Sequence, residues 1–172
     1  VQVGSYGIEI IGISYSDSVN LILLMNGLGL FGRIIPSYFA DLKFGPLNTM
    51  IPFVFISAIL LYAWSAVRTQ AGLYAFASLY GLLTAGFQGL FPGTLSSLTK
   101  DMSKAGTRMG MCFSFVGVAS LTGPPLAGAL IQAHGGNYLY AQMWSGSVMV
   151  AGGLVLIAAR ISSSGWVLVS RV

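Results

Sequence analysis

The side chains able to do chemistry are few and widely spaced. Arg33 is the one that stands out, because it lies inside a long apolar run that begins near Val19. A cation at such depth costs about 2.5–3.5 kcal/mol on insertion scales. It therefore needs an anionic partner, a water-filled cavity or a route to the interface. Its planar, always-charged guanidinium suits two-point pairing with a carboxylate in a dry cavity. Equally, its long stem could snorkel to the membrane edge and serve a structural or gating contact. Asn26 precedes Arg33 by seven residues, two helical turns, so both fall on one helix face, and Asn26 is a candidate for lining the same cavity. Asp41 and Lys43 follow in the polar turn that ends the run and suit an interhelical clamp better than solute binding. Glu9 reads either as an interfacial carboxylate or as a cavity-lining group. His134 falls in a turn, where a proton role and a plain turn residue are both readings.

No soluble-enzyme constellation accompanies these residues. There is no His/Glu metal pair, no phosphate loop of Walker spacing and no Gly-x-Ser-x-Gly elbow, so neither an enzyme nor a cofactor is expected. Cys112 is single and permits no internal disulfide and no cysteine metal site. The net charge of +4 comes from Lys and Arg scattered mostly at the ends of apolar runs and does not argue for a nucleic-acid partner.

The elements that must position these residues are membrane helices. The 172 residues are 55% hydrophobic and 7% charged, with a mean hydropathy of +0.81. A soluble domain carries about 25% charged residues. So few charges could not cover a soluble surface, and the lipid bilayer is the expected surrounding. Residues 1–13 are apolar but too short to cross, and read as the tail of a truncated first span. Full spans are expected at 19–40, 49–67, 72–95, 109–131 and 138–159, followed by a tail over 161–172. The intervening polar segments are Ser14–Ser18, Asp41–Asn48 with Gly45-Pro46 as breaker, Arg68–Gln70, Thr99–Arg108 and Gln132–Asn137. Run length separates these from barrel strands, which need about 9–11 alternating residues. Pro92, within Gly-Leu-Phe-Pro-Gly at 89–93, predicts a kink or an unwound end, and Gly123-Pro124-Pro125 predicts a break in the span that contains it.

Alternating the loops across the membrane puts Lys43, Lys100, Lys104, Arg108, Arg160 and Arg171 on one side and Arg68 on the other. The positive-inside rule makes the first side cytoplasmic, and with it the C-terminus. Asp41 and Lys43 then become a cytoplasmic clamp. Six spans that start and end inside are what one half of a twelve-span carrier shows. Gly81, Ala85 and Gly89 make a stripe four residues apart. It reads as close helix packing or as a surface on which helices slide.

Several pieces then add up to a resemblance. Asn26-Gly, Gly32-Arg33-Ile-Ile-Pro36, Ala40-Asp41 and Gly45-Pro46-Leu47-Asn48 resemble the segment joining the second and third helices in the C-terminal half of fungal monocarboxylate-transporter-like proteins of the major facilitator superfamily (MFS). Leu79-Tyr80-Gly81 with Gly86 and Pro92, Gly106-Thr-Arg-Met-Gly-Met111, and Leu121-Thr-Gly-Pro-Pro-Leu-Ala-Gly-Ala-Leu130 are similar to later pieces of that half, in the same order.

The resemblance implies an all-α membrane fold, the C-terminal six-helix half of the superfamily with its first helix truncated. It also implies a secondary carrier of a small organic solute, monocarboxylate-like or another metabolite, working by alternating access, with a proton as co-substrate. The partners implied are the bilayer, the solute and an N-terminal half, with the plasma membrane as the expected location. Arg33 matches a family arginine implicated in carboxylate binding. The family acid four residues earlier does not carry over, because that position is Gly29. A truncated or repurposed membrane protein without transport of its own is the alternative expectation.

Overall fold

The structure, a computed structural model, describes residues 2–99 and 101–164, with the side chains at 43, 44 and 164 outside the description. It is all helix. A short α1 (Gln2–Tyr6) runs into a π-helical turn (Gly7–Ile11). It is followed by α2 (Tyr15–Phe39), α3 (Pro46–Ala63), α4 (Gln70–Ser97), α5 (Ala105–Ala133) and α6 (Leu139–Ser164). The expected all-α membrane fold with a short first helix is what is observed.

Among the described residues, four helical stretches are long and apolar enough to cross a membrane: Tyr15–Leu42, Pro46–Ala66, Met102–Ala133 and Leu139–Ser163. The third expected span, 72–95, lies in α4, which has 28 residues but falls outside that group. Tyr74, Ser78, Tyr80, Thr84 and Gln88 interrupt its apolar run. Because α4 packs on both α2 and α3, protein replaces lipid along much of its surface.

Helix ends follow local chemistry, and several extend past the apolar runs. Ser14 caps α2, its hydroxyl oxygen accepting from the Asp17 N–H at 3.1 Å. Residues expected to form a polar turn at 15–18 are therefore the first turn of the helix, because a cap oxygen satisfies a donor that the chain would otherwise leave to water. Thr69 does the same for α4 through the Gly72 N–H at 3.1 Å. α2 ends in a second π-helical turn (Ala40–Phe44). Gly45 then takes φ +80°, which only glycine adopts without strain, and Pro46 opens α3 with its φ already set for a helix. Arg108, expected in a loop, lies in the first turns of α5, and the tail expected from 161 is helical through Ser164.

Neither an unwound end at Pro92 nor a break at 123–125 forms. α4 runs through Pro92 without unwinding, and α5 is continuous through Gly123, Pro124 and Pro125. A proline frees the carbonyl four residues back, and hydroxyls and local adjustment re-satisfy such groups in membrane helices.

The bundle is organised on α4. α2 runs parallel to it at very close approach, α3 lies against α4 and α6, and α5 touches the rest lightly. The α2–α4 seam is made of missing side chains. A Cβ on Gly81 would meet the Met25 backbone at 2.8 Å, and one on Gly89 would meet Arg33 Cα at 3.2 Å. A Cβ on Gly29 would meet Ala85 Cβ at 3.2 Å, and one on Gly32 would collide with the Leu82 carbonyl. In lipid, such backbone proximity supplies the dispersion contacts that hold helices together. One apolar core lies near the α1–α2 end, around Tyr6, Leu21, Trp64, Leu73 and Phe76. A smaller one lies at the opposite end, with Ala40, Met50, Val54 and Leu90.

Candidate functional site

α2 carries its buried residues on one strip, Ser18, Leu21, Gly29, Gly32 and Pro36, facing the bundle. Asn26 and Arg33 lie together on the flank of that strip, and both are exposed. The Asn26 side-chain amide donates to the Ile22 carbonyl one turn back at 2.8 Å. Arg33 is fixed at its backbone. Its Cα passes Gly89 of α4, and its carbonyl accepts from the Ser37 hydroxyl at 2.7 Å. Among the described residues, no side chain pairs with its guanidinium.

Such an arrangement presents five N–H donors and a permanent charge on an immobile stretch of helix. Chemically, such a group suits a carboxylate or another oxygen-rich anion.

Asp41 is exposed in the π-helical turn after α2, and among the described residues no cation pairs with it. The side chain of Lys43 lies outside the described residues, as do Lys100 and Arg171. The structure brings a different pair together at that end of the bundle. Arg160 Nε, at the end of α6, donates to Asn48 Oδ1, in the first turn of α3. Sequence reading missed this tie, because the two positions are 112 apart and neither stands out locally. Pro92 lies on α4, three residues after Gly89, which passes Arg33, and the Gly123-Pro124-Pro125 group lies on α5.

At the other end, Glu9 is exposed in the first π-helical turn, and its carboxylate accepts from the Tyr138 hydroxyl at 2.7 Å. His134 closes α5, with Nδ1 at 2.9 Å from the Leu130 carbonyl, and stacks on Tyr140 with ring centroids 3.6 Å apart.

Comparison with known proteins supplies relatives. The chain is 39% identical over 150 residues to an MFS-type transporter of Gibberella zeae, which covers 87% of the chain and 34% of that protein. It is 37% identical over 162 residues to the MFS-type transporter opdF of Penicillium oxalicum, covering 94% and 38%. It is 36% identical over 155 residues to the aspyridones efflux protein apdF of Emericella nidulans, covering 90% and 31%. No family model and no solved structure matches. These relatives are transporters, not enzymes, and nothing in them narrows the family to monocarboxylate carriers. The chain spans about a third of the length of the curated relatives it matches. An all-helical membrane fold and similarity along nearly the whole chain liken it to the fungal MFS-type transporters, of which it matches one portion.

Proposed function

We propose that this chain is the C-terminal half of a secondary carrier that moves a small organic solute by alternating access, with Arg33 and Asn26 on the wall that meets the solute. The observation that carries the reading is the exposed, unpartnered guanidinium of Arg33 on a helix long and apolar enough to cross a membrane. Facing hydrocarbon, that charge would cost about 2.5–3.5 kcal/mol, so the flank of α2 that bears it belongs against water or a partner surface. A cavity between two halves supplies both.

The solute is an organic anion or a polar metabolite with an oxygen-rich edge, and a monocarboxylate is the simplest of that class. The Emericella relative is named as an efflux protein, which favours export as the direction. A proton is the simplest co-substrate. The C-terminus is cytoplasmic by the distribution of Lys and Arg, and the plasma membrane is the location that suits an exporter.

The test is transport by the full-length carrier across a panel of labelled carboxylates and other metabolites. Arg33→Ala should cut transport of an anionic solute by at least about tenfold, the loss of one charge-assisted hydrogen bond, while the protein still reaches the membrane folded. Undiminished transport by Arg33→Ala removes that residue from the site. No saturable transport of any solute by the parent defeats the carrier reading.

A further inference from the structure

The turn that links α1 to α2 is held by contacts unlike those elsewhere in the bundle. α1 has five residues, and it passes directly into the π-helical turn Gly7–Ile11. π-helical turns are rare and concentrate at functional sites, because the extra residue per turn loosens the ladder. Gly12 follows at φ +78°, a conformation that lets the chain reverse.

Two long-range hydrogen bonds pin this segment. The Tyr6 hydroxyl donates to the Val67 carbonyl at 2.6 Å, in the connection between α3 and α4. The Tyr138 hydroxyl, at the start of α6, donates to Glu9 at 2.7 Å. Between them the rings of Tyr6, Trp64 and Tyr138 meet edge to face, with centroids 5.3 Å apart in both pairs. Tyr6 and Tyr138 are almost fully buried while Glu9 is exposed, so both bonds sit at the boundary of the packed layer. Beneath this layer the packing is incomplete. A cavity of about 210 Å³ is walled by Val3, Met25, Leu61, Trp64, Tyr80 and Tyr138, among others. The segment is thus secured at its rim by two hydrogen bonds and ring edges, with space on its inner side and a pliant turn at its hinge.

We propose that Glu9 and Tyr138 form a strap that holds the end of α1 against α6, and that the strap releases once in each transport cycle. This rests on the carrier reading. When Tyr138 lets go of Glu9, the π-helical turn takes up the change in backbone geometry and Gly12 acts as the pivot. Ile13, buried and lying over Gly7, is uncovered by the same movement. Neither Glu9 nor Tyr138 touches the solute. They are positioning residues, and their effect is on the population of the closed arrangement.

Two measurements on the full-length carrier, in a Cys112→Ser background, test the strap. The first needs no transport. With Ile13→Cys in purified protein in lipid nanodiscs, a charged maleimide should label that thiol about ten times faster when Tyr138→Phe is added, since one charge-assisted hydrogen bond is lost. Glu9→Gln, which keeps an acceptor oxygen, should give a smaller increase and serves if Tyr138→Phe fails to fold. An unchanged labelling rate in the folded variant overturns the strap. The second measurement joins Glu9→Cys to Tyr138→Cys with a reducible bis-thiosulfonate. Transport should fall at least about tenfold on bridging and return on reduction, and a bridged protein that carries solute at the unbridged rate overturns the release step. A parent protein that moves no solute defeats the carrier reading, while the labelling rate still decides whether the strap exists.

Discussion

The α2–α4 seam and α5 are built from the same residue, glycine, and use it in opposite ways. In the seam each glycine stands where a neighbour's backbone or Cβ leaves no room for a larger group. In α5, a Cβ on Gly106, Gly110, Gly117, Gly123 or Gly128 would meet nothing within 4 Å. Every residue of α5 from Phe113 to Leu126 is exposed, whereas α4 buries Leu73, Phe76, Ala77, Gly81, Ala85, Gly86, Leu90 and Thr94. The difference teaches that a glycine-rich membrane helix does not declare its partner. The seam spends its glycines on close approach within this chain, and α5 keeps them where this chain has no wall.

That contrast can be broken by adding side chains. Gly32→Leu should have the largest effect, because its new Cβ collides with the Leu82 carbonyl, a backbone group that cannot swing aside. We expect a loss of about 3 kcal/mol, the upper end of the usual cost of overpacking, and a collapse of the monodisperse folded fraction in detergent chromatography. A folded Gly32→Leu protein with parent-like thermal stability would mean that the seam is looser than described.

Gly117→Leu is the matched control on α5. In the 172-residue chain it should change stability by no more than about 1 kcal/mol, and toward greater stability, since leucine is the better helix former and the site is open. Thermal unfolding of the two leucine variants side by side reads the comparison directly. Strong destabilisation by Gly117→Leu would put a hidden contact on α5.

The smallest effect concerns how α5 begins. The Ser103 hydroxyl and N–H both donate to Asp101 Oδ1, at 2.7 and 3.1 Å. These bonds, led by the Ser103 hydroxyl and helped by Lys104 and the charge of Arg108, hold the Asp101 carboxyl below its ordinary value. A carboxylate depressed in the folded state contributes order that is present above its unfolded pKa and lost as pH falls through the folded one. Ser103→Ala should therefore raise the Asp101 pKa toward the ordinary carboxylate range in a side-chain NMR titration. An unmoved titration would show that the serine does not set it.

Reading the sequence recovered the class, the order of helices and most of their centres, but the candidate site only in part. Arg33 was legible because a charge in an apolar run is costly wherever the run ends up. Asn26 was legible by its seven-residue spacing from Arg33, since the helical period is local. Asp41 and Lys43 were read as clamp residues from the polar turn and the charge distribution, whereas the ties of Asn48 to Arg160 and of Glu9 to Tyr138 join positions too distant in sequence for such a reading to find. Pro92 and Pro124-Pro125 lie within continuous helices, not at an unwound end or a break. In lipid an unwound segment exposes polar groups with no solvent to receive them, which favours keeping the helix.

By itself the sequence determined what depends on a few adjacent residues. Apolar runs become helices because lipid leaves the backbone no other way to satisfy its hydrogen bonds, and Ser14, Thr69 and Gly45-Pro46 mark ends through bonds to near neighbours. The tertiary structure decided which glycines are filled by a neighbour, that α4 is the centre of the bundle, and that Tyr138 reaches Glu9 across 129 positions. Those pairings depend on where two helices cross and at what rotation. Helix crossing is set by the sum of many weak contacts along both surfaces, and no local window of the chain contains that sum.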